Sequence, residues 1–155
     1  MGYSHFVNSE RAQDSGLTQS PGVILALQRA THGTLRLLAA RLAEEDLTGS
    51  EINALANLAD GRVRTVGELA AAAGTRPTTL TSILDRLVRR GYLIRELDPH
   101  DRRSFLLHLT DSGRRAAQAA IAAIAAIEQE ALAALPAADI AGFSRVAHAL
   151  TEASR

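Results

Sequence analysis

Between Thr48 and Thr110 the chain carries a run of helix and turn signals that leaves few folds open. Thr48 and Glu51 have the spacing at which a hydroxyl and a carboxylate reciprocally satisfy the first free N–H groups of a helix. That helix carries Ile52, Leu55 and Leu58 and stops at Asp60-Gly61. Arg62-Val63-Arg64 is a short extended piece, and Thr65 with Glu68 opens a second helix in the same way. Gly74-Thr75 makes a tight turn, and Pro77 suits the first position of the helix after it. Leu80, Ile83, Leu84, Leu87 and Val88 recur there at steps that predict a buried stripe. Arg89-Arg90-Gly91 closes the helix, with cations in the last turn and glycine at the stop. Tyr92 to Arg95 and Ser104 to Leu109 read as two strands of a hairpin around the turn residues Asp98-Pro99-His100-Asp101. Helix, tight turn, helix and hairpin in that order are the layout of a winged helix-turn-helix.

The flanks are helical. Ser20-Pro21 predicts the start of a long amphipathic helix over 21–45, with Ile24, Leu27, Thr31, Leu35, Leu38 and Leu42 on one seam. Thr110 caps another long helix, Pro136 breaks it, and a last helix over 137–152 places Ile140, Phe143, Val146, Ala147 and Leu150 on one face. These helices are more apolar than a small winged domain can bury alone. The Ala/Ile tract 116–127 allows another helix to approach closely. Two packings meet that need, a dimer seam and a bundle within one chain. The expected organisation is an irregular arm over 1–19 and a helix up to residue 46, a winged unit over 47–110, and C-terminal helices over 111–155.

Net charge is zero, with 17 basic and 17 acidic residues, which by itself argues against a polyanion partner. The distribution reverses that reading. Residues 62–103 hold nine arginines against five acids, so a segment of net +4 lies between flanks that together carry −4. There is no cysteine, so disulfides and thiolate metal sites are excluded. His5, His32, His100, His108 and His148 lack ligand spacing, and neither a metal nor any other cofactor is expected. No nucleophile elbow, Walker loop or dinucleotide fingerprint is present, so an enzyme is not expected. No apolar run approaches the ~20 residues of a membrane span. Met1 to Ser20 lacks the apolar stretch of a signal peptide, which points to a cytoplasmic protein without a membrane partner.

A helix that lies in a DNA groove needs a polar outer face with few acids. The 77–89 helix meets this except at Asp85. Arg76, Thr78, Thr79, Thr81 and Ser82 lie at or near its N-terminus, where free N–H groups and the helix dipole favour phosphate, and Arg86 lies further along. Arg102 and Arg103 occupy the hairpin tip.

Asp101, Arg103, Leu109 and Thr110 form an Asp-x-Arg…Leu-Thr pattern, preceded by Arg86-Leu87 and Arg90-Gly91-Tyr92-Leu93. With these residues the chain resembles the MarR family of bacterial transcription regulators, strongly over about 48–115 and by helix placement in the flanks. The resemblance implies a mainly α fold with a small β-wing, a winged helix-turn-helix plus N- and C-terminal dimerisation helices. It implies a homodimer on double-stranded DNA with a pseudo-palindromic operator. Arg103 would enter the minor groove, with Asp101 orienting its guanidinium or simply stapling the turn, and Arg102 would meet phosphate. Two positions depart from the family. Ser82 stands where Lys or Arg is common, and Pro77 replaces a polar residue at the helix start.

The resemblance further implies a small-molecule effector, anionic or phenolic, between the dimerisation helices and the winged unit. By position its lining would draw on Arg29, His32, Arg36, Asn53 and Asn57, although His32 reads equally as a solvated or satisfied histidine. The expected function is a sequence-specific transcription regulator, most simply a repressor. The rival is a winged-helix protein–protein adaptor without DNA contact, against which the arginine-rich wing argues.

Overall fold

The computed structural model of the protein describes residues 22–153. The arm over 1–19 with His5 and the Ser20-Pro21 helix start lie outside those residues. Helix α1 runs Val23–Arg41 and a 3₁₀ turn follows at Ala43–Glu45. The helix predicted over 21–45 thus ends early. Glu44, Glu45 and Asp46 would put negative charge at the negative end of the dipole, and Asp46 takes a left-handed conformation with φ 49. Helices α2 (Gly49–Ala56) and α3 (Val66–Ala72) begin at the predicted capping boxes, and both reciprocal bonds form at each. Pro77 is the first residue of α4 (Pro77–Arg89), and Gly91 follows its end with φ +72, a conformation that favours glycine. Thr110 caps α5 (Asp111–Leu132) by accepting from the Gly113 N–H, and Pro136 precedes α6 (Ala137–Glu152).

The wing is three-stranded rather than the expected two. Strand β1 (Arg64–Thr65), the extended piece, pairs with β3 (Phe105–Leu109), which pairs in turn with β2 (Leu93–Leu97). All pairings are antiparallel, with Arg64 opposite Leu107 and Arg95 also opposite Leu107 on the other side.

The core joins Ile52, Leu55, Leu58, Leu69, Leu80, Leu84, Leu87, Leu93 and Leu107, all nearly inaccessible. Val88, expected in the α4 stripe, is exposed at the rim. Ala116, Ala117 and Ala120 of α5 are buried, and α2 is the helix most closely packed on α5. Much of the small-residue tract therefore serves packing within the chain. Gly113 belongs to the same joint: a Cβ there would lie 1.9 Å from the Tyr92 carbonyl oxygen.

The outer helices are different. No residue of α6 is buried, and Val23, Ile24, Leu25, Phe143 and Val146 are exposed. Of the predicted α1 seam, Leu38 is buried while Leu27, Leu35 and Leu42 are half-buried, so its C-terminal half docks on the winged unit and its N-terminal end does not. Among the described residues no helix is long and apolar enough to cross a membrane.

Candidate nucleic-acid interface

Helix α4 differs from its neighbours at its N-terminus. Helices α2, α3 and α5 are capped by Thr48, Thr65 and Thr110. The N-cap of α4 is Arg76, whose side chain makes no capping bond, and Pro77 contributes no N–H. The first turn of α4 thus presents free N–H groups of Thr78 and Thr79 with no acid in that turn. Thr78, Thr79, Thr81 and Ser82 are all exposed. The Thr81 hydroxyl donates to the Pro77 carbonyl at 2.9 Å and the Ser82 hydroxyl to the Thr79 carbonyl at 3.0 Å. Both retain lone pairs to accept from a partner.

Pairing sorts the arginines of the basic segment. Arg64 pairs with Asp60 at 2.6 Å, and Arg62 lies 3.7 Å from the same carboxylate. That carboxyl is held well below the usual range, chiefly by the Arg64 hydrogen bond and then by the Arg62 main-chain N–H. Arg90 donates to the carbonyls of Glu45 and Asp46 and lies over the Tyr92 ring, 5.2 Å from its centroid. Arg95 pairs with Asp85 at 2.8 Å. Among the described residues Arg76, Arg89, Arg102 and Arg103 are exposed and form no ion pair. They stand at the two ends of α4 and at the wing tip, where a polyanion would find charge that needs no internal bond broken.

Arg86 is placed differently from the other predicted contacts. Its Nε donates to Glu51 Oε1 at 3.0 Å, and Glu51 is 2% exposed. Burial pushes the Glu51 carboxyl up, but hydrogen bonds from the Thr48 hydroxyl and main-chain N–H, and then from Arg86, outweigh it and leave it below its ordinary value. Arg86 therefore compensates a buried charge from its half-exposed position, and only its Nη groups remain for a partner.

The wing tip is built by main-chain bonds. Asp101 Oδ1 accepts from the Arg103 N–H at 3.0 Å, Asp98 Oδ1 from the His100 N–H at 2.8 Å, and the Ser104 N–H donates to the Asp101 carbonyl at 2.8 Å. Asp101 thus sets the turn through the backbone, and no ion pair joins it to the Arg103 guanidinium. In this geometry the Asp101 carboxylate is bonded to the Arg103 main chain and not to its guanidinium.

The predicted effector residues are not gathered at one place. Arg29, His32 and Arg36 are exposed on α1, and His32 Nδ1 lies 2.7 Å from the Gln28 carbonyl oxygen. Asn53 donates to the Ala73 carbonyl at 3.1 Å and so fastens α2 to the end of α3, while Asn57 donates back to Asn53 at the end of α2. Asn53 also lines a groove of about 210 Å³ with Thr31, Leu35 and Thr79. A larger cleft of about 480 Å³ lies among the end of α2, the segment before β1, β3 and the start of α5. Arg62, His108, Arg114, Arg115 and Gln118 line it, and none of the five predicted residues does. Sequence periodicity had no way to find it, because its walls come from three separate segments, 58–63, 107–109 and 114–118. Among the described residues no group of His, Asp and Glu could hold a metal ion.

Known proteins share this architecture. A family model described as MarR family matches residues 45–104. YdcH of Bacillus subtilis strain 168, an uncharacterized HTH-type transcriptional regulator, is 32% identical over 124 residues, which is 77% of this chain and 83% of that protein. The crystal structure of PcaV from Streptomyces coelicolor, in complex with its natural ligand, matches with a TM-score of 0.72 and 28% identity, over 90% of this chain and 96% of that one. CouR from Rhodococcus jostii RHA1, bound to p-coumaroyl-CoA, matches with a TM-score of 0.74 and 25% identity, over 85% and 93%.

Proposed function

The chain belongs to the MarR family of transcription regulators, and from that premise we propose that it is a homodimeric, sequence-specific repressor of double-stranded DNA in the cytoplasm. The observation that carries this reading is the set of unpaired, exposed arginines Arg76, Arg102 and Arg103 around an uncapped helix start and a stapled wing tip. Arg and the α4 N–H groups supply phosphate contacts, which position the protein. Thr78, Thr79, Thr81 and Ser82 are short enough to reach base edges, and Arg103 suits a narrow, A·T-rich minor groove. Arg86 contributes through its Nη groups while its Nε holds Glu51.

The residues before 47 and after 110 serve as the dimerisation unit, and residues 47–110 as the reading head. The exposed apolar residues of α1 and α6 support this division, since a lone chain leaves Val23, Ile24 and Phe143 in water. A two-fold pair presents two α4 helices to half-sites of a pseudo-palindrome.

The cleft beside Arg62, Arg114 and Arg115 is the seat we assign to a small anionic or phenolic effector that releases DNA. It lies between the winged unit and α5, and the ligand-bound PcaV and CouR structures support an effector in a fold of this kind.

Selection of bound duplexes from a random pool at fixed salt tests DNA binding, two-fold symmetry and half-site spacing together. Enrichment of an inverted repeat supports the proposal. Absence of duplex binding at low salt would leave the adaptor reading in its place. For the effector, benzoate and p-coumaroyl-CoA are titrated against the protein–duplex complex, and loss of that competition in Arg115→Ala locates the seat.

A further inference from the structure

We infer that Arg95 is a positioning residue that locks the wing to the DNA-reading helix and silences the one acid on that helix face. The inference rests on the DNA-binding reading above. Arg95 lies on β2 opposite the buried Leu107, two residues after the buried Leu93. Strand alternation therefore directs it to the inner face, where an apolar residue would be expected. It turns that position to another use. Its Nη1 lies 2.8 Å from Asp85 Oδ1, and its Nη2 donates to the Thr81 carbonyl at 3.3 Å, both on α4. Its Nε is buried without a partner, so among the described residues these two contacts are what hold the guanidinium. The side chain is 26% exposed, too enclosed for a phosphate to compete easily for it.

Two consequences follow. The carboxylate of Asp85 would otherwise repel phosphate from a helix meant to approach it, and Arg95 neutralises it from behind. The strand that leads into the wing tip is also tied to the helix turn that carries Thr81 and Ser82, so Arg102 and Arg103 keep a set relation to α4. The ordering energy is spent before DNA arrives, which is how preorganisation raises affinity.

The test uses Arg95→Met, Asp85→Asn, Arg95→Lys and the exchange Asp85→Arg/Arg95→Asp in the full chain. Amide hydrogen exchange over residues 97–105 reads the lock in the free protein, whether or not DNA binds. Faster wing exchange in Arg95→Met and Asp85→Asn, with at least partial protection restored by the exchange variant, supports the lock; unchanged exchange in both single variants overturns it. On the duplex selected for the wild type, Arg95→Met loses the lock and unmasks the Asp85 carboxylate, so it should bind roughly tenfold more weakly with the salt slope unchanged, whereas Asp85→Asn loses the lock together with the carboxylate and should fall between it and the wild type. A slope lower by about one in Arg95→Met would make Arg95 a direct phosphate contact, and Asp85→Asn binding as tightly as wild type would remove the positioning role. If Arg95→Met does not fold, Asp85→Asn and Arg95→Lys carry the same reading, with Arg95→Lys intermediate. Failure of the wild type to bind any duplex would refute the DNA-binding role while the exchange data still decide the lock.

Discussion

Replacing Glu51 by Gln tests how the buried charge beside α4 is held. Glu51 Oε2 accepts from the Thr48 N–H at 2.8 Å and from the Thr48 hydroxyl at 2.7 Å, while Oε1 accepts from Arg86 at 3.0 Å. A glutamine has one oxygen for two sets of donors, so its NH₂ must face either Thr48 or Arg86. One or two charge-assisted bonds are lost, each worth roughly 1.5–3 kcal/mol. Arg86 recovers part of this, because its half-exposed side chain can turn to water. The expected loss is about 2–3 kcal/mol, a large share of a typical 5–15 kcal/mol total. Acid provides the control. The Glu51 carboxyl is held below its ordinary 4.5, so its stabilisation is fully present above that value and is lost as pH falls through the lowered folded value. Urea denaturation at fixed protein concentration should show wild type clearly more stable than Glu51→Gln at neutral pH, with the gap narrowing as pH drops below about 4.5. A gap under about 0.5 kcal/mol at neutral pH, or one that widens in acid, would refute the argument.

Other consequences are as direct. Gly113→Ala puts a methyl 1.9 Å from the Tyr92 carbonyl oxygen, so the α5–wing joint must shift, at a cost of about 3 kcal/mol or more; an unchanged melting temperature would contradict it. Arg103→Ala should weaken duplex affinity by roughly 1–3 kcal/mol, read by gel-shift titration at fixed salt, and equal affinity would remove the wing from the interface. Phe143→Asp places a charge on the exposed apolar face of α6 and should shift the protein toward monomer in sedimentation, with weaker duplex binding; an intact dimer would move the interface elsewhere.

Local chemistry made much of this molecule legible. Each capping box, the Pro77 start, the Gly91 stop and the Thr110 cap depend on neighbours within a few residues, and each formed where its residues stand. The wing hairpin followed from turn residues in the same way, and the extended piece before α3 was legible too, whereas its pairing with β3 as a third strand was not. Two residues of β1 have too little pattern of their own to fix a partner and pair because β3 offers them an edge. The end of α1 at Arg41 was hidden because the leucine seam continues past it, while three acids oppose the helix there.

At the candidate interface the residue types were readable, but their pairing was not. Sequence counts nine arginines between 62 and 103 as equivalent charges. Folding assigns Arg64 to Asp60, Arg86 to the buried Glu51 and Arg95 to Asp85, and leaves Arg76, Arg89, Arg102 and Arg103 exposed without an ion pair. The cleft beside Arg114 and Arg115 arises from segments far apart in the chain. Sequence by itself determined the order of helices and strands and the basic middle, because backbone hydrogen bonding and capping are settled within a few residues. Only the tertiary structure decided which charges are spent internally and which stay available, because an ion pair depends on distance across the core.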